Sequence, residues 1–558
     1  MDEVQERVDR VRRGRSEVEN ALIDEYAAGR ISRRELFRRG SVIGMGLPVI
    51  AFIAAACGGK AKTPPATSGS GASGAVKQGG TATVAEIVPA GAVNPLTVAD
   101  EGGLATLGQA GQYLTWSNQD LQLEPILAES WQPNTDGTEW TFKIRQGVMF
   151  NDGTPLTADD VVATMKAHSD PANKGNALSA FGGVLTPDGV SATDASTVVF
   201  KLQAANGNFP YLVSSDNYNV IILPKSFDYG GDYTKSFIGT GPWKVQNFDS
   251  QTGVTYVKNP SYWEKGLPYL DGFTLKYFAD QQPQILGIQS GTLDVVSQFS
   301  AATGQSLLNA TNLTILGLRS TAHRQVHMRV DQPPFDKKEI RQALAFAISR
   351  PDLVDGLLNK QADLGNDSPF APVFPSTDTS VPQRAQDLAQ AQQLMATAGA
   401  TNGFDVTLYT WNGFEIPDLA QLIQQAATQI KINIKLQVDD ANTYYSKYWL
   451  NSPLGITDYG HRGVPNVFLG APLLSTGTWN AAHYANPAYD DLVKQYVAAI
   501  DLATQKSIAK QIETTLLDDT PIIFPYFYYH MTATKPEVVG VEATAMGHIR
   551  LTKAGFKA

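Results

Sequence analysis

The side chains of this chain that could do chemistry are seven histidines, a single cysteine and several adjacent carboxylates. His323 and His327 have the spacing of a zinc pair on a helix, but the surrounding HRQVHMRV favours a strand. Four strand residues span about 13 Å, so the two imidazoles could not share one ion. The chain also has no phosphate-binding loop, HExxH helix or nucleophile-elbow pentapeptide. We therefore predict a protein that is not an enzyme, with no catalytic residue, metal site or cofactor.

A binding site at the end of a sheet is the better prediction from the residues. The alternation of Phe404, Val406 and Leu408 predicts a strand that ends at Thr410 and places Trp411 beyond its carboxyl end. Ligands of open α/β sheets bind at that edge, so Trp411 is the first candidate ligand contact. A tryptophan packed in the core explains the residue equally well.

Residues 456–484 form a second candidate region. Glycine and proline interrupt this segment too often for one regular element, and polar and aromatic side chains crowd it. Binding residues concentrate on such loops above rigid scaffolds. The candidate ligand contacts, to which Trp116 near the start of the folded part is added, are Trp116, Trp411, Asp458, Tyr459, His461, Arg462 and Trp479.

The clearest local structure in the chain lies earlier, in residues 123–166. An Asp136-Gly137 turn followed by alternating apolar and polar residues predicts a β-hairpin. Further on, Thr157 followed by Asp160 predicts the start of a helix, because carboxylates are favourable at the positive end of the helix dipole. These elements are common to many folds, so they do not by themselves predict a function.

The order of motifs in this segment is more specific than its periodicity. It contains P-x-LA-x-SW, DG-x-x-x-TF-x-(I/L)R-x-GV-x-F and (N/H)DGTPLTA-x-DV in succession, and IRQALAFAISR follows at residues 340–350. These motifs resemble those of the bacterial extracellular solute-binding proteins of family 5, the oligopeptide, dipeptide and nickel binders of ABC importers. The resemblance covers most of residues 81–558. It implies a receptor whose partners are a peptide or small-molecule ligand and the permease subunits of an ABC transporter.

The resemblance implies an α/β fold, a two-lobed periplasmic-binding-protein-like clamshell of type II, cluster C, with a small extra subdomain in the first lobe. Two predicted βαβ units, in residues 273–296 and 404–438, supply a parallel core to each lobe. Residues 489–518 are predicted to form one long helix. Crossings between the lobes are expected near residues 320–328 and 515–525, where they would form a hinge. The expected parts are residues 81–116, 235–325 and 523–558 for lobe I, 117–234 for the extra subdomain, and 326–522 for lobe II.

Residues 1–56 are typical of an export signal. Arg33 and Arg34 in SRRELFR resemble the twin-arginine motif, although the Leu-Phe order is reversed. The uncharged segment before Cys57 is shorter than the roughly 20 residues of a membrane-spanning helix. AAACGG around Cys57 resembles a lipoprotein processing site, and residues 57–80 are typical of a flexible linker. We expect a lipid-anchored protein in the periplasm or on the outer face of the cytoplasmic membrane; an incidental thiol on an uncleaved anchor is the alternative.

Composition limits the partners further. The chain has 558 residues, enough for several domains, and its 43% hydrophobic content is ordinary for a globular protein. A net charge of -10 disfavours binding to nucleic acid. We expect a monomer that contacts the membrane only through its lipid.

One departure from the family bears on the ligand. Peptide-binding relatives carry an Asp-Pro dipeptide whose Asp pairs with the terminal amine of the peptide, whereas this chain has Val464-Pro465. An ammonium enclosed without a counter-ion is strongly disfavoured, and Asp458 is the nearest acid that could replace the missing one. Peptides are the default ligand class. Sugars or other small organic solutes, a secreted enzyme on the same fold, and a receptor for signalling or adhesion are the alternatives.

Overall fold

A computed structural model describes residues 76–558, so the candidate export motif Arg33-Arg34 and the candidate lipidation site Cys57 lie outside the described residues. Two seven-stranded sheets form the framework of two lobes. In spatial order, the strands of the first sheet are Thr314–Leu318, His530–Thr534, Val295–Phe299, Thr81–Ile87, Gly272–Phe278, Gly253–Lys258 and Trp243–Asp249. Those of the second are Ala362–Leu364, Tyr526–Tyr528, His323–Met328, Leu454–Tyr459, Phe404–Trp411 and Ile432–Asp439, with Ile522–Ile523 paired beside His323–Met328.

The βαβ unit predicted in the first lobe is confirmed, with one strand inserted. Strands Gly272–Phe278 and Val295–Phe299 both run parallel to Thr81–Ile87, which lies between them. The connecting helix Gln281–Gln289 begins at Asp280, whose side chain accepts a hydrogen bond from the backbone N–H of Gln282. This cap satisfies one of the free N–H groups of the first turn.

The βαβ unit predicted in the second lobe forms by direct pairing. Strands Phe404–Trp411 and Ile432–Asp439 are parallel neighbours over their whole length, joined by the helix Ile416–Thr428. That helix buries a stripe at helical spacing against the sheet, which includes Leu419 and Ile423. The other helices of this lobe are Lys338–Ala347, Arg350–Leu358, Leu388–Thr397, Ala441–Thr443, a π-helical turn Tyr444–Tyr448, Asn466–Gly470, Pro487–Ala498 and Leu502–Asp519.

The extra subdomain has a sheet of its own. Strands Ala128–Pro133 and Glu139–Ile144 form the predicted hairpin, and Val190–Asp194 and Thr197–Lys201 extend it to four antiparallel strands. The helix Ala158–Ser169 begins at Thr157 as predicted, and Thr157 and Asp160 form a capping box. The remaining helices of the first lobe and subdomain are Glu101–Ala110, Pro171–Asn173, Leu178–Phe181, Pro187–Gly189, Phe209–Leu212, Tyr233–Lys235 and Gln305–Leu308.

The chain crosses between the two large sheets twice. Strand Thr314–Leu318 belongs to the first sheet and His323–Met328 to the second, so the first crossing occupies residues 319–322. Strand Tyr526–Tyr528 still pairs within the second sheet and His530–Thr534 lies in the first, so the second crossing is at Tyr529. This crossing comes later than expected, because residues 522–528 complete the second sheet before the chain leaves it.

The single helix predicted over residues 489–518 is wrong. Two helices, Pro487–Ala498 and Leu502–Asp519, occupy this region. The first ends where Ala499 adopts extended backbone angles, and Asp501 starts the second by accepting a hydrogen bond from the backbone N–H of Thr504. An Asp placed before a new helical run is an N-cap signal, and here it marks the start of a second helix.

Short strands complete the described chain. Val76–Lys77, Gly555–Lys557 and Val538–Val539 form one small sheet; Thr115–Ser117 pairs with Leu123–Pro125, and Glu542–Ala543 with Ile549–Arg550. Among residues 76–558, none of the helices combines the length and apolar character that crossing a bilayer requires.

Candidate binding site between the lobes

Two adjoining cavities lie where the extra subdomain meets the second lobe. The smaller has a volume of about 80 Å³ and the larger about 180 Å³, and both are lined by Tyr211, Gly463 and Val464. The smaller interlobe cavity is also lined by Asp216, Tyr218 and Arg462, and the larger by Asn208, Phe374, Tyr496 and Gln505. Aromatic walls with a few converging polar groups are typical of solute sites.

The loop that supplies Arg462, Gly463 and Val464 follows the carboxyl end of the central strand Leu454–Tyr459. Residues of the first crossing hold it in place. The Thr321 hydroxyl donates to the carbonyl of Arg462 at 2.9 Å and accepts from its backbone N–H at 2.8 Å, while the backbone N–H of Thr321 donates to Nδ1 of His461 at 3.1 Å. The candidate loop is therefore attached directly to the hinge.

His461 and Arg462 differ in charge although they are adjacent. Burial lowers the pKa of His461 well below its usual range, so its imidazole is neutral. Burial also lowers the pKa of Arg462, an effect that Tyr218 opposes, but a guanidinium stays charged at neutral pH. One of its Nη1 hydrogens is donated to the carbonyl of His461 at 2.7 Å. Among residues 76–558, no carboxylate acts appreciably on the charge of Arg462.

Asp216 faces this loop from the extra subdomain. Its Oδ2 atom is buried and has no hydrogen-bond partner in the described part of the chain. Burial raises the pKa of the Asp216 carboxyl to about 7, against the opposing influence of the Ser117 side chain. The absence of a side chain at Gly463 makes room for the carboxylate, since a Cβ there would overlap Oδ2 of Asp216. Sequence reasoning missed Asp216, because the polar run SSDNYN around it has no distinguishing motif.

Trp411 and Asp458 lie together at a different part of the second lobe. The Trp411 ring packs 5.6 Å from Phe414 and 6.1 Å from Tyr445, and its Nε1 is buried without a partner among the described residues. The Tyr445 hydroxyl donates to Oδ1 of Asp458 at 2.5 Å. Asp458 lines neither interlobe cavity. The Phe414 ring beside Trp411 is 67% exposed to solvent. These residues form a partly open aromatic surface on the second lobe.

A buried ion pair supports that surface. Nε and Nη2 of Arg324 each donate to the Glu415 carboxylate at 3.0 Å, and the Tyr526 hydroxyl donates to the same carboxylate at 2.7 Å. The Arg324 guanidinium lies 5.0 Å from the Phe414 ring centre and 4.4 Å from that of Tyr528. Burial favours the neutral acid, but Arg324 outweighs it and holds the pKa of Glu415 below its usual value. The sequence contained no signal that would pair these positions.

Tyr459 and Trp479 are parts of an aromatic cluster in the core of the second lobe. Tyr459 is 7% exposed and stacks on His323 with ring centres 5.4 Å apart. Trp479 lies 6.0 Å from Tyr459 and 6.3 Å from Trp449. The Tyr459 ring is buried in this cluster, whereas Trp479 is half-buried against it, and aromatic pairs of this geometry stabilise the fold.

Trp116 lies in the strand Thr115–Ser117 of the first lobe and lines neither interlobe cavity. It is 8% exposed, with its ring 5.0 Å from His548 and the Arg550 guanidinium 5.2 Å from its centre. These residues line a separate cavity of about 30 Å³. The seven candidates are thus divided among the interlobe loop, the aromatic surface of the second lobe, the core of that lobe and the first lobe.

The histidine pair lies in a strand, as predicted. His323 and His327 belong to His323–Met328, both are buried, and burial lowers the pKa of each to about 3. Across residues 76–558, no group of three or more histidine, cysteine, aspartate or glutamate side chains is arranged to hold a metal ion. Neutral buried histidines are structural in this sheet.

Comparison with known proteins identifies the family. Residues 122–478 match the family model described as "Bacterial extracellular solute-binding proteins, family 5 Middle". The matched segment spans the extra subdomain, the first crossing and the loop at Val464. The chain belongs to this family. The family 5 resemblance of the sequence motifs is therefore confirmed.

Relatives of this family 5 protein agree with the fold. It is 27% identical over 430 residues to the glutathione-binding protein GsiB of Shigella dysenteriae, covering 73% of this chain and 81% of GsiB. Among solved structures, CtaP of Listeria monocytogenes, described as an ABC transporter substrate-binding protein, is 23% identical with a TM-score of 0.76, covering 86% of this chain and 100% of CtaP. DppA of Helicobacter pylori in complex with the peptide STSA is 21% identical with a TM-score of 0.68, covering 86% and 99%. The α/β two-lobed clamshell is confirmed.

Membership of family 5 also establishes the general function. The protein is a substrate-binding protein that works with an ABC importer outside the cytoplasm. Its relatives are binding proteins rather than enzymes.

Proposed function

We propose that this family 5 protein binds peptides or peptide-like solutes between its lobes and delivers them to an ABC permease. The observation that carries the proposal is the pair of adjoining interlobe cavities, which are lined from one side by Tyr211 and from the other by Val464. The relatives support the ligand class, because one is named for glutathione and another was solved with the peptide STSA. Glutathione and STSA are both short and carry peptide groups.

Closure of the lobes is the step that would enclose the solute. Asn208 of the extra subdomain donates to the side chain of Asn466 at 2.9 Å and accepts from that of Gln505 at 3.0 Å. The backbone N–H of Gly207 also donates to the carbonyl of Val497 at 2.8 Å. These bonds join the lobes beside the larger cavity. A solute that contacts both sides binds the closed form more tightly, and its differential affinity shifts the equilibrium towards closure.

The anchor and the assembly state are parts of the same proposal. Export through the twin-arginine residues Arg33 and Arg34, followed by lipidation of Cys57, would tether a monomeric receptor to the membrane near its permease. The segment at residues 57–80, rich in glycine, serine and proline, suits a flexible tether between lipid and binding domain.

Native mass spectrometry of the purified protein tests the ligand class. We expect a copurified solute whose fragments are those of a peptide. Val464→Trp, which fills both cavities from one wall, should purify without it, whereas Leu286→Trp at a 63% exposed position should retain it. Recovery of a saccharide alone, or equal retention by Val464→Trp, would contradict the proposal. Turnover of the released solute by wild-type protein would favour the enzyme alternative instead.

A further inference from the structure

We propose that Leu121 is an apolar latch that holds the two lobes together, whether or not a solute is bound. Leu121 lies at the turn between the strands Thr115–Ser117 and Leu123–Pro125, in the hairpin that leads into the extra subdomain. The latch goes beyond the proposed function, because it concerns the equilibrium between open and closed forms and not the class of solute. Entry and release of any solute then require that the leucine leave its site.

The Leu121 side chain is buried in a hydrophobic cluster of the other lobe. It is 3% exposed, and the cluster that it joins includes Phe374, Phe468 and Tyr496. Apart from Leu121, the described residues of this cluster all lie between residues 330 and 527, within the second lobe. Opening of the lobes returns the leucine to water, where the free energy of its burial is lost. This contact therefore favours the closed form.

The contribution of Leu121 to closure does not require a solute. Leu121 lines neither interlobe cavity, although its neighbour Gln122 lines the larger one. The Tyr211 hydroxyl donates to the carbonyl of Leu121 at 2.7 Å, and the Tyr211 side chain lines both cavities. The turn that carries the latch is thus bonded to a residue in the wall of the site.

The backbone of this turn places Leu121 in a conformation that leucine rarely adopts. Its φ of 53° lies in the left-handed region, which is strained for a bulky residue. The turn is held by Asn118, whose side-chain oxygen accepts hydrogen bonds from the backbone N–H groups of Asp120 and Gln122, both at 3.0 Å. Asparagine and glycine adopt the left-handed conformation at lower cost. Such strain persists only where the surrounding structure compensates for it, and the apolar contact of the side chain supplies that compensation.

The lobes also approach closely at Gly207, beside the larger cavity. A Cβ at this position would lie 1.9 Å from the carbonyl oxygen of Ala499. The backbone N–H of Gly207 donates to the carbonyl of Val497 in the second lobe at 2.8 Å, whereas that of Asn206 donates to the carbonyl of Gly137 in the extra subdomain at 3.0 Å. These two adjacent amides therefore distinguish opening of the lobes from unfolding of the subdomain.

Hydrogen exchange of the protein, stripped of solute by unfolding, dialysis and refolding, tests the latch. Asparagine suits the left-handed backbone but does not replace the apolar contact, so Leu121→Asn should accelerate exchange at Gly207 at least about tenfold. Exchange at Asn206 should stay unchanged. Leu121→Met keeps the apolar volume and should exchange more like the wild type than like Leu121→Asn. Leu286→Asn, at a 63% exposed position, is the control and should alter neither amide.

Small-angle scattering of the same stripped proteins gives a second measurement. Gly207→Ala provides the open reference, because its Cβ would overlap the carbonyl of Ala499. The wild type should be more compact than Gly207→Ala, and Leu121→Asn should approach that reference.

Three results would overturn the latch. The first is a stripped wild type as expanded as Gly207→Ala. The second is a Leu121→Asn variant with unchanged exchange at Gly207 and unchanged compaction. The third is equal acceleration at Asn206 and Gly207 in Leu121→Asn, which would show that Leu121 supports the fold of the subdomain and not closure. None of these results depends on the class of the solute.

Discussion

Glu415→Gln is a substitution for which the structure predicts a large loss of stability with little change in shape. The Arg324 and Glu415 side chains are 2% and 8% exposed, and two hydrogen bonds of 3.0 Å join them. Glutamine occupies the same volume and keeps one carbonyl acceptor. It removes only the negative charge, so Arg324 remains buried without a counter-ion.

The magnitude follows from the burial of the pair. Removing one partner of a buried ion pair costs about 3–5 kcal/mol, and we expect about 3 kcal/mol because the glutamine carbonyl can still accept one bond. The two aromatic rings beside Arg324 do not replace the lost charge, since a cation–π contact contributes only about 0.5–2 kcal/mol. With a urea dependence of about 3 kcal/mol/M, the unfolding midpoint should fall by about 1 M.

Urea unfolding followed by both tryptophan fluorescence and circular dichroism measures this loss, because two probes reveal whether one lobe unfolds separately. Asp518→Asn is the control, because it breaks an ion pair with Lys338 at the surface. The Asp518 side chain is 63% exposed and that of Lys338 40%. An exposed pair of this kind contributes less than about 1 kcal/mol to stability. The double variant Arg324→Met with Glu415→Leu should lose less unfolding free energy than the two single variants lose in total. If Glu415→Gln shifts the midpoint no more than Asp518→Asn, the pair is not desolvated and the reasoning is refuted.

Three further predictions concern closure, pH and anchoring. Asn208→Ala removes two hydrogen bonds between the lobes, so the affinity for the copurified solute should fall roughly 5- to 30-fold. Small-angle scattering should then show that the saturated variant is less compact than the saturated wild type, and equal compaction would contradict this prediction. Stability should decrease as pH falls below about 6.5, because histidines such as His323 are kept neutral with pKa values near 3 and bind protons on unfolding. It should also decrease from pH 6.5 to 8, since burial raises the pKa of Glu86 to about 8 and ionisation then favours the unfolded chain; Glu86→Gln should reduce this second slope in thermal melts. Cys57→Ser should release the protein from membranes, and unchanged fractionation would exclude the lipid anchor.

Much of the local structure was predictable because its signals are contained in a few consecutive residues. The Asp136-Gly137 hairpin and the helix that begins at Thr157 form as expected, and so does the parallel pairing of Phe404–Trp411 with Ile432–Asp439. The helix break before Asp501 was also present in the sequence as an N-cap signal, which the single helix predicted over residues 489–518 did not take into account. Turn chemistry, capping and periodicity act over short distances, so one sequence is enough to indicate them.

Tertiary contacts decided the arrangement of the candidate site. Tyr459 and Trp479 share their residue types with ligand-stacking rings, but Tyr459 is buried in the core and Trp479 half-buried against it, whereas Trp411 belongs to a partly open aromatic surface. The sequence shows that a residue is aromatic. It does not show whether the neighbouring side chains leave space for a ligand beside the ring.

The carboxylate of the smaller cavity illustrates the same limit most clearly. From the sequence, Val464 indicates that an acid is missing, and Asp458 is the nearest acid along the chain. In the folded protein, Asp216 lies against Gly463 because the chain crosses between the lobes and brings the extra subdomain onto the loop. Distance along the chain does not measure distance in space once a fold has two crossings. Family motifs therefore predicted the clamshell and its general function, while the charges that line its cleft depended on contacts between distant segments.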